Sequence, residues 1–386
     1  MKSIVKSWFR AVPAGEVGIA GASEPKEPSL SEVLLMFAVV FALHLLMVCR
    51  VSNFWDARTP WFDGGQYLEV AAIIRQGNLW GHEMPKPFWG FPYAIAGISK
   101  VLAIPGPMAL VLISILGSLA TCILVHRLYG GWVAATFIFI NYEWIQLSVE
   151  GGSEPLFMCL LLASFLAARS GRWNLAALLA SLSTTVRPVG VLALLGFALA
   201  LAWRRSYRQL AIITLIGLAI GVLYVVPLWI ILGSPFANLS SYRMDWEPHG
   251  WLLTYPFGAL VSSYLLAFHE TRWTHIAFSP VWLLVTLVGM VAMWLPRNRQ
   301  RFSAINQPEA LFASVYTFFL VSFNAADYMA IGLTRYVFPI LPLLLFSLRD
   351  WIPRGRRVLW VGALLSALVA SAGIVGFKNV FGFKLP

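Results

Sequence analysis

Long, unbroken apolar runs constrain this chain more than any other feature. They lie near 33–50, 106–126, 131–148, 154–168, 173–186, 189–203, 209–232, 279–296, 309–324, 332–348 and 358–377. A helix crossing the hydrocarbon core needs about 20 mostly apolar residues. The runs are continuous rather than alternating, which favours helices over a β-barrel. The expected fold class is therefore all-α, a polytopic membrane helical bundle of about eleven transmembrane helices. The two runs flanking Arg187 are short, and read either as two spans or as one long helix kinked at Pro188. Composition agrees: 59% of residues are hydrophobic and 12% charged, where soluble domains carry about 25% charged residues. That excludes a soluble enzyme, a disordered chain and a disulfide-stapled module. Cys49, Cys122 and Cys159 all sit in apolar runs and read as packed thiols.

Charge sets the expected orientation. With the amino terminus inside, 17 of the 28 Lys and Arg residues fall on the inner side with six acids, so the whole net charge of +11 lies there. The basic balance thus reports topology and implies no nucleic-acid partner. Residues 1–32 read as a polar cytoplasmic tail; no apolar h-region follows Lys2, Lys6 and Arg10 before Val33, so they are not a cleavable signal peptide. Residues 33–377 form the transmembrane domain, with outer loops at 51–105 and 233–278, and 378–386 form a short outer tail. Eleven of the 17 carboxylates fall on the outer side. Ionisable groups beside hydrocarbon are costly and usually functional, so chemistry is expected on that face.

The first outer loop is rich in rings, with Trp55, Trp61, Trp80 and Trp89. Within it, FDGGQYLEVAAIIRQG predicts a helix beginning after Asp63 and ending at Gly77. Tyr67, Val70, Ala71 and Ile74 share one face, as in an amphipathic helix beside the membrane. Asp63 then stands at the helix N-terminus. It is an N-cap, a carboxylate placed to accept a proton from an alcohol, or both. Asp56 either shares that work or pairs with Arg58.

These residues carry a family resemblance. WFDGGQYLEVA (61–71) followed by FWGFPYAIAGISKVLAIPGP (88–107) resembles the first loop of GT-C membrane glycosyltransferases. It is especially similar to the PIG-V-type mannosyltransferases and their bacterial relatives, although Phe62 stands where their motif has Trp. SVEGGSEPLFMCLLLASFLAAR, RWNLAALLASLSTTVRPVGVLAL and LTRYVFPILPLLL resemble three further stretches of that superfamily, in order. The resemblance implies an inverting sugar transfer at the outer face, from a polyprenyl- or dolichyl-phosphate donor, with mannose the closest family sugar. The acceptor would be a lipid, glycan or protein hydroxyl. It implies Asp63 as the catalytic base, and Arg187, Arg335 and Lys86 as ligands of the donor phosphate, since guanidinium forks match phosphate oxygens. Acceptor or sugar contacts fall to Asp56, Tyr67, Glu150, Glu154, Asp245 and Tyr336. No metal and no other cofactor is implied. The expected location is a bacterial inner membrane, with the endoplasmic reticulum membrane as the alternative.

Plainer readings stand beside these. Arg187 and Arg335 also suit snorkelling to headgroups, and Glu154 suits a helix N-terminus through the macrodipole. His82-Glu83 and the group Asp245, Glu247, His249 lack the spacing of a metal site. Gly217 and Gly221 form a GxxxG pair, expected to be a close-packing face. A transporter or flippase is the competing function, but the chain lacks the paired halves such proteins show.

Overall fold

The computed structural model of the chain describes residues 26–51, 64–78, 88–235, 237, 255–269, 273–295, 307–322 and 333–380. Among these residues the secondary structure is helical throughout. The helices are α1 (Leu30–Val51), α2 (Gly64–Arg75), α3 (Gly90–Val101), α4 (Gly106–Tyr129), α5 (Gly131–Phe139), α6 (Tyr142–Glu150), α7 (Glu154–Arg169) and α8 (Trp173–Val186). After a 3-10 turn at Pro188–Gly190 come α9 (Val191–Trp203), α10 (Tyr207–Leu232), α11 (Gly258–His269), α12 (Trp273–Trp294), α13 (Gln307–Ser322), α14 (Leu341–Ser347) and α15 (Arg356–Val380).

α4 is the central helix, packed against α3, α5, α6, α7 and α1. α10 lies at the periphery and shows Leu215, Leu223 and Ile230 outward, each more than 60% exposed. Large apolar side chains left uncovered along a whole helix are costly in water and natural in lipid. This is a multi-pass membrane protein.

Four expectations change. The run 131–148 is not one span. Asn141 leaves helical geometry (φ −116°, ψ 68°), and its side-chain oxygen accepts a bond from the Trp144 N–H, so it caps a new helix, α6. The run 332–348 is likewise broken by a turn at 338–340, ahead of Pro342 at the start of α14. The expected outer loop 233–278 contains α11 and the beginning of α12. The Gly217/Gly221 pair is no tight interface: Gly221 has open space around it, and Gly217 meets Leu194 only at ordinary contact distance. Around Arg187 the two-helix reading holds. Arg187 itself is extended (φ −143°, ψ 131°), the conformation that the following Pro188 favours, and α8 stops there.

The two ends of the bundle differ. α7 has 16 residues, about 24 Å of helix at 1.5 Å per residue, so Glu154 and Arg169 mark opposite ends. At the Arg169 end, Arg169 forks onto Glu309 with two bonds of 2.7 Å, and the Tyr129 hydroxyl donates to the same carboxylate at 3.0 Å. Glu32 and Arg356 pair near that end at 3.3 Å. All four ionic residues belong to the set of 17 basic and six acidic residues expected on the inner side. The other end carries α2 and is called the α2 end below.

Candidate functional site

The α2 end is organised by an elbow between α6 and α7, whose axes meet at 109°. The sequence Glu150-Gly151-Gly152-Ser153-Glu154-Pro155 makes it. Gly151 closes α6 in the left-handed region (φ +89°), which a side chain rarely tolerates. The freed Gly152 carbonyl is met by the Ser114 hydroxyl of α4 at 2.8 Å. Pro155, in the first turn of α7, restarts the helix without a wasted N–H. Glu154 therefore enters the bundle as the first residue of a helix.

Its carboxylate is buried, and one oxygen, Oε1, accepts from both Arg187 Nη1 and Arg335 Nε. Arg187 arrives from the end of α8 and Arg335 from a helical turn at 333–337, so one carboxylate joins three distant parts of the sequence. The Arg187 Nη1 also lies 3.4 Å from the Ser153 hydroxyl, and that hydroxyl lies 3.3 Å from the Tyr67 hydroxyl on α2. On the far side, the buried Tyr316 hydroxyl of α13 donates to the Tyr336 carbonyl at 2.7 Å and fixes the backbone beside Arg335. Glu143, which accepts from Tyr142 at 3.2 Å, is within electrostatic reach of Arg335.

Burying one carboxylate between two guanidiniums is favourable only because charge-assisted bonds replace the lost hydration. Among the described residues, every hydrogen bond of the Arg187 guanidinium runs through Nη1. Its Nε and Nη2 have no hydrogen-bond partner among the described residues. The Oε2 of Glu154 has no partner among the described residues.

α2 and α3 lie against this cluster. Gly64, Tyr67, Val70, Ala71 and Ile74 are the buried face of α2, the stripe expected from spacing, and the face is covered by α3 and α4. Tyr67 meets Phe91 of α3 edge-on, with centroids 5.1 Å apart. α3 in turn abuts α8 where that helix ends. A Cβ at Gly90 would stand 2.7 Å from the Thr185 backbone, two residues before Arg187. Gly90→Ala should lower the thermal unfolding midpoint, at a cost of about 1–3 kcal/mol for overpacking. Gly97→Ala on the same helix meets nothing within 4 Å and should stabilise slightly through helix propensity. Equal behaviour of the two variants in a detergent melt would refute the close-approach account.

Of the residues singled out by sequence, Tyr67, Glu154, Arg187 and Arg335 come together, and Tyr336 is held beside them. Glu150 does not join them. It faces the other side of the elbow, toward His44 of α1. Asp56, Asp63, Lys86 and Asp245 lie outside the described residues, although Asp63 is bonded directly to Gly64, the buried first residue of α2. Sequence reasoning passed over Ser153 as a flank of Glu154, and it missed Tyr316, which nothing in an apolar helix distinguishes. His44, a lone histidine in an apolar run, was a usable signal.

No family model and no curated protein matches the sequence. Among solved structures, the chain is similar to a crystal structure of ArnT from Cupriavidus metallidurans bound to undecaprenyl phosphate. The match covers 93% of this chain and 67% of that one, with a TM-score of 0.51 and 17% sequence identity. The two chains share a fold. At that identity the likeness is one of architecture, and the α2 end must argue for its own chemistry.

Proposed function

We propose that the chain is an inverting glycosyltransferase that moves a sugar from a polyprenyl-phosphate donor to a hydroxyl at the outer membrane face. The observation that carries this reading is the meeting of Arg187 and Arg335 on one buried carboxylate, beside the first-loop helix that follows Asp63. Two cations held side by side at the end of a membrane bundle suit an anion whose remainder is hydrophobic. A lipid phosphate is such an anion, and undecaprenyl phosphate is what the ArnT structure holds. Glu143 lies near Arg335, so Arg187, with two nitrogens to offer, is the principal phosphate ligand.

In the proposed reaction the acceptor oxygen forms a bond to the anomeric carbon while the bond from that carbon to the phosphate oxygen breaks. A single displacement inverts the configuration. The departing polyprenyl phosphate keeps the electron pair and is stabilised by the guanidiniums, whose donors gain strength in a site shielded from water. The acceptor proton passes to the Asp63 carboxylate. Lys86 is assigned as a further phosphate ligand, with Tyr67, Asp56, Asp245 and Tyr336 around the sugar and acceptor. Mannose is the sugar favoured by the resemblance to the PIG-V type.

A bilayer-reconstituted preparation given a panel of radiolabelled polyprenyl-phosphate sugars should transfer label from at least one donor. Arg187→Ala should raise the donor KM by roughly 10- to 100-fold, as expected for a charge-assisted bond contributing about 1.5–3 kcal/mol. Absence of transfer from every donor, or an unchanged donor KM, would count against the reading.

A further inference from the structure

α1 and α15 cross the bundle beside the elbow, and they bring to it a second buried polar group that the proposed reaction does not use. His44 of α1 is fully buried, and Glu150, the last residue of α6, is 3% exposed. His44 Nε2 lies 3.7 Å from Glu150 Oε1, and neither atom has a hydrogen-bond partner among the described residues. The other imidazole nitrogen, Nδ1, is 3.2 Å from the hydroxyl of Ser371 on α15. That hydroxyl donates to the Ala367 carbonyl at 2.8 Å. Its single hydrogen is thereby used, so Ser371 accepts from His44 and Nδ1 carries a proton.

That tautomer decides what stands between the ring and the carboxyl group. A neutral imidazole protonated at Nδ1 presents a lone pair at Nε2. An ionised Glu150 would present another lone pair to it, and two acceptors facing each other in an apolar interior repel and leave both groups unsatisfied. A proton between them removes the conflict. Carried by oxygen, it makes a neutral acid donating to a neutral ring; carried by nitrogen, it makes an imidazolium donating to a carboxylate. The unit is electrically neutral in both forms. It becomes a buried anion on losing that proton and a buried cation on gaining a second.

We infer that His44 and Glu150 share one proton, and that this proton latches the α6–α7 elbow to α1 and α15. Glu150 is followed by Gly151 and Gly152, whose backbone resists bending least, and then by Ser153 and Glu154. The chain Ser371–His44–Glu150 fixes the elbow on one side, and Gln146, donating to the Ala370 carbonyl at 2.9 Å, fixes it one turn earlier. Glu150 is thus a positioning residue that acts through Glu154 on the arginine pair. Among the described side chains, the elements packed around the latch contribute no competing charge close by. α5 has no ionisable side chain. On α4 the ionisable side chains are Cys122, His126, Arg127 and Tyr129, all in its second half, toward the Arg169 end. On α15, Arg356 and Arg357 lie in the first turn, and Lys378, two turns beyond Ser371, has no described side-chain placement. On α1, Glu32 lies in the first turn, and Cys49 and Arg50 beyond His44 have no described side-chain placement. On α6, Glu143 lies two turns before Glu150 and is bonded by Tyr142. On α7, Glu154 is held by its two arginines.

The sign of the pH dependence follows. The latch holds while the shared proton is bound and opens as rising pH removes it, so the wild-type chain should melt lower at alkaline pH. The discriminating variant is Glu150→Gln, whose amide donates to Nε2 and has no proton to lose in that range. Melts of the full chain in detergent across a pH series should place Glu150→Gln within a degree or two of wild type at neutral pH and flatten the alkaline decline. Glu150→Ala and His44→Ala should melt lower at every pH. This readout needs no substrate, so it stands or falls separately from the glycosyltransferase reading. The same series run on donor transfer should show Glu150→Gln retaining activity that Glu150→Ala loses. A Glu150→Gln chain that melts as low as Glu150→Ala, or keeps the alkaline decline of wild type, would overturn the shared proton.

Discussion

Glu154→Ala should be the most destabilising single substitution at the α2 end. It removes the one carboxylate on which two guanidiniums meet, with Arg187 and Arg335 only 18% and 22% exposed. Removing one member of a buried ion pair costs about 3–5 kcal/mol, because the remaining charge keeps its desolvation penalty and loses its compensation. Here two cations are left facing each other, which adds repulsion. Glu154→Gln retains an amide oxygen that can still accept from the arginines, and it should recover part of the loss. The measurement is a double-mutant cycle on unfolding midpoints. Arg187→Ala combined with Glu154→Ala should destabilise less than the two single effects added together, the non-additivity expected of contacting residues. Strict additivity would mean that the pairing contributes nothing and that Glu154 serves α7 only as an acid at its N-terminus.

The parts of this architecture that were legible beforehand are those set by local rules. The stripe Tyr67, Val70, Ala71, Ile74 follows from helical spacing, and the helix boundary after Asp63 follows from Asp-Gly-Gly. That the basic residues gather at one end of α7 and the first-loop helix at the other follows from the distribution of Lys and Arg. Arg187 is marked by the Val-Arg-Pro sequence that interrupts two apolar runs, and its extended backbone is the local consequence of Pro188. The breaks at Asn141 and at 338–340 were hidden because an apolar run has nearly the same hydropathy whether its helix is straight or interrupted. Only the cap at Asn141 distinguishes them, and one Asn among apolar residues is a weak sign. The partner of Glu154 was illegible for a different reason. A carboxylate at a helix start is equally well explained by the dipole, and nothing local says that residues 33 and 181 positions away will close on it. His44 and Glu150 lie 106 positions apart and are joined only by the packing of α1 against α6. Long-range polar contacts in a membrane bundle depend on helix rotation, which a uniformly apolar sequence constrains poorly.

Asp63→Asn should abolish sugar transfer while leaving the fold intact, and the reason lies in what asparagine keeps. Asp and Asn cap helices about equally well, so the first turn of α2 and the placement of Tyr67 against Ser153 should survive. The amide cannot accept the acceptor hydroxyl's proton. Loss of a positioned general base costs about 10²- to 10⁴-fold in rate, so transfer from a labelled polyprenyl-phosphate donor should fall by that factor with the melting midpoint unchanged. If Asp63 caps α2, Asp63→Ala should in addition lower the midpoint by an amount equivalent to about 1 kcal/mol. The pair of variants separates the two readings of this residue. If Asp63→Asn transfers sugar at the wild-type rate and Asp63→Ala differs only in its melt, the aspartate is a cap alone. The base would then be sought among the other carboxylates of the outer loops, Asp56 and Asp245 first.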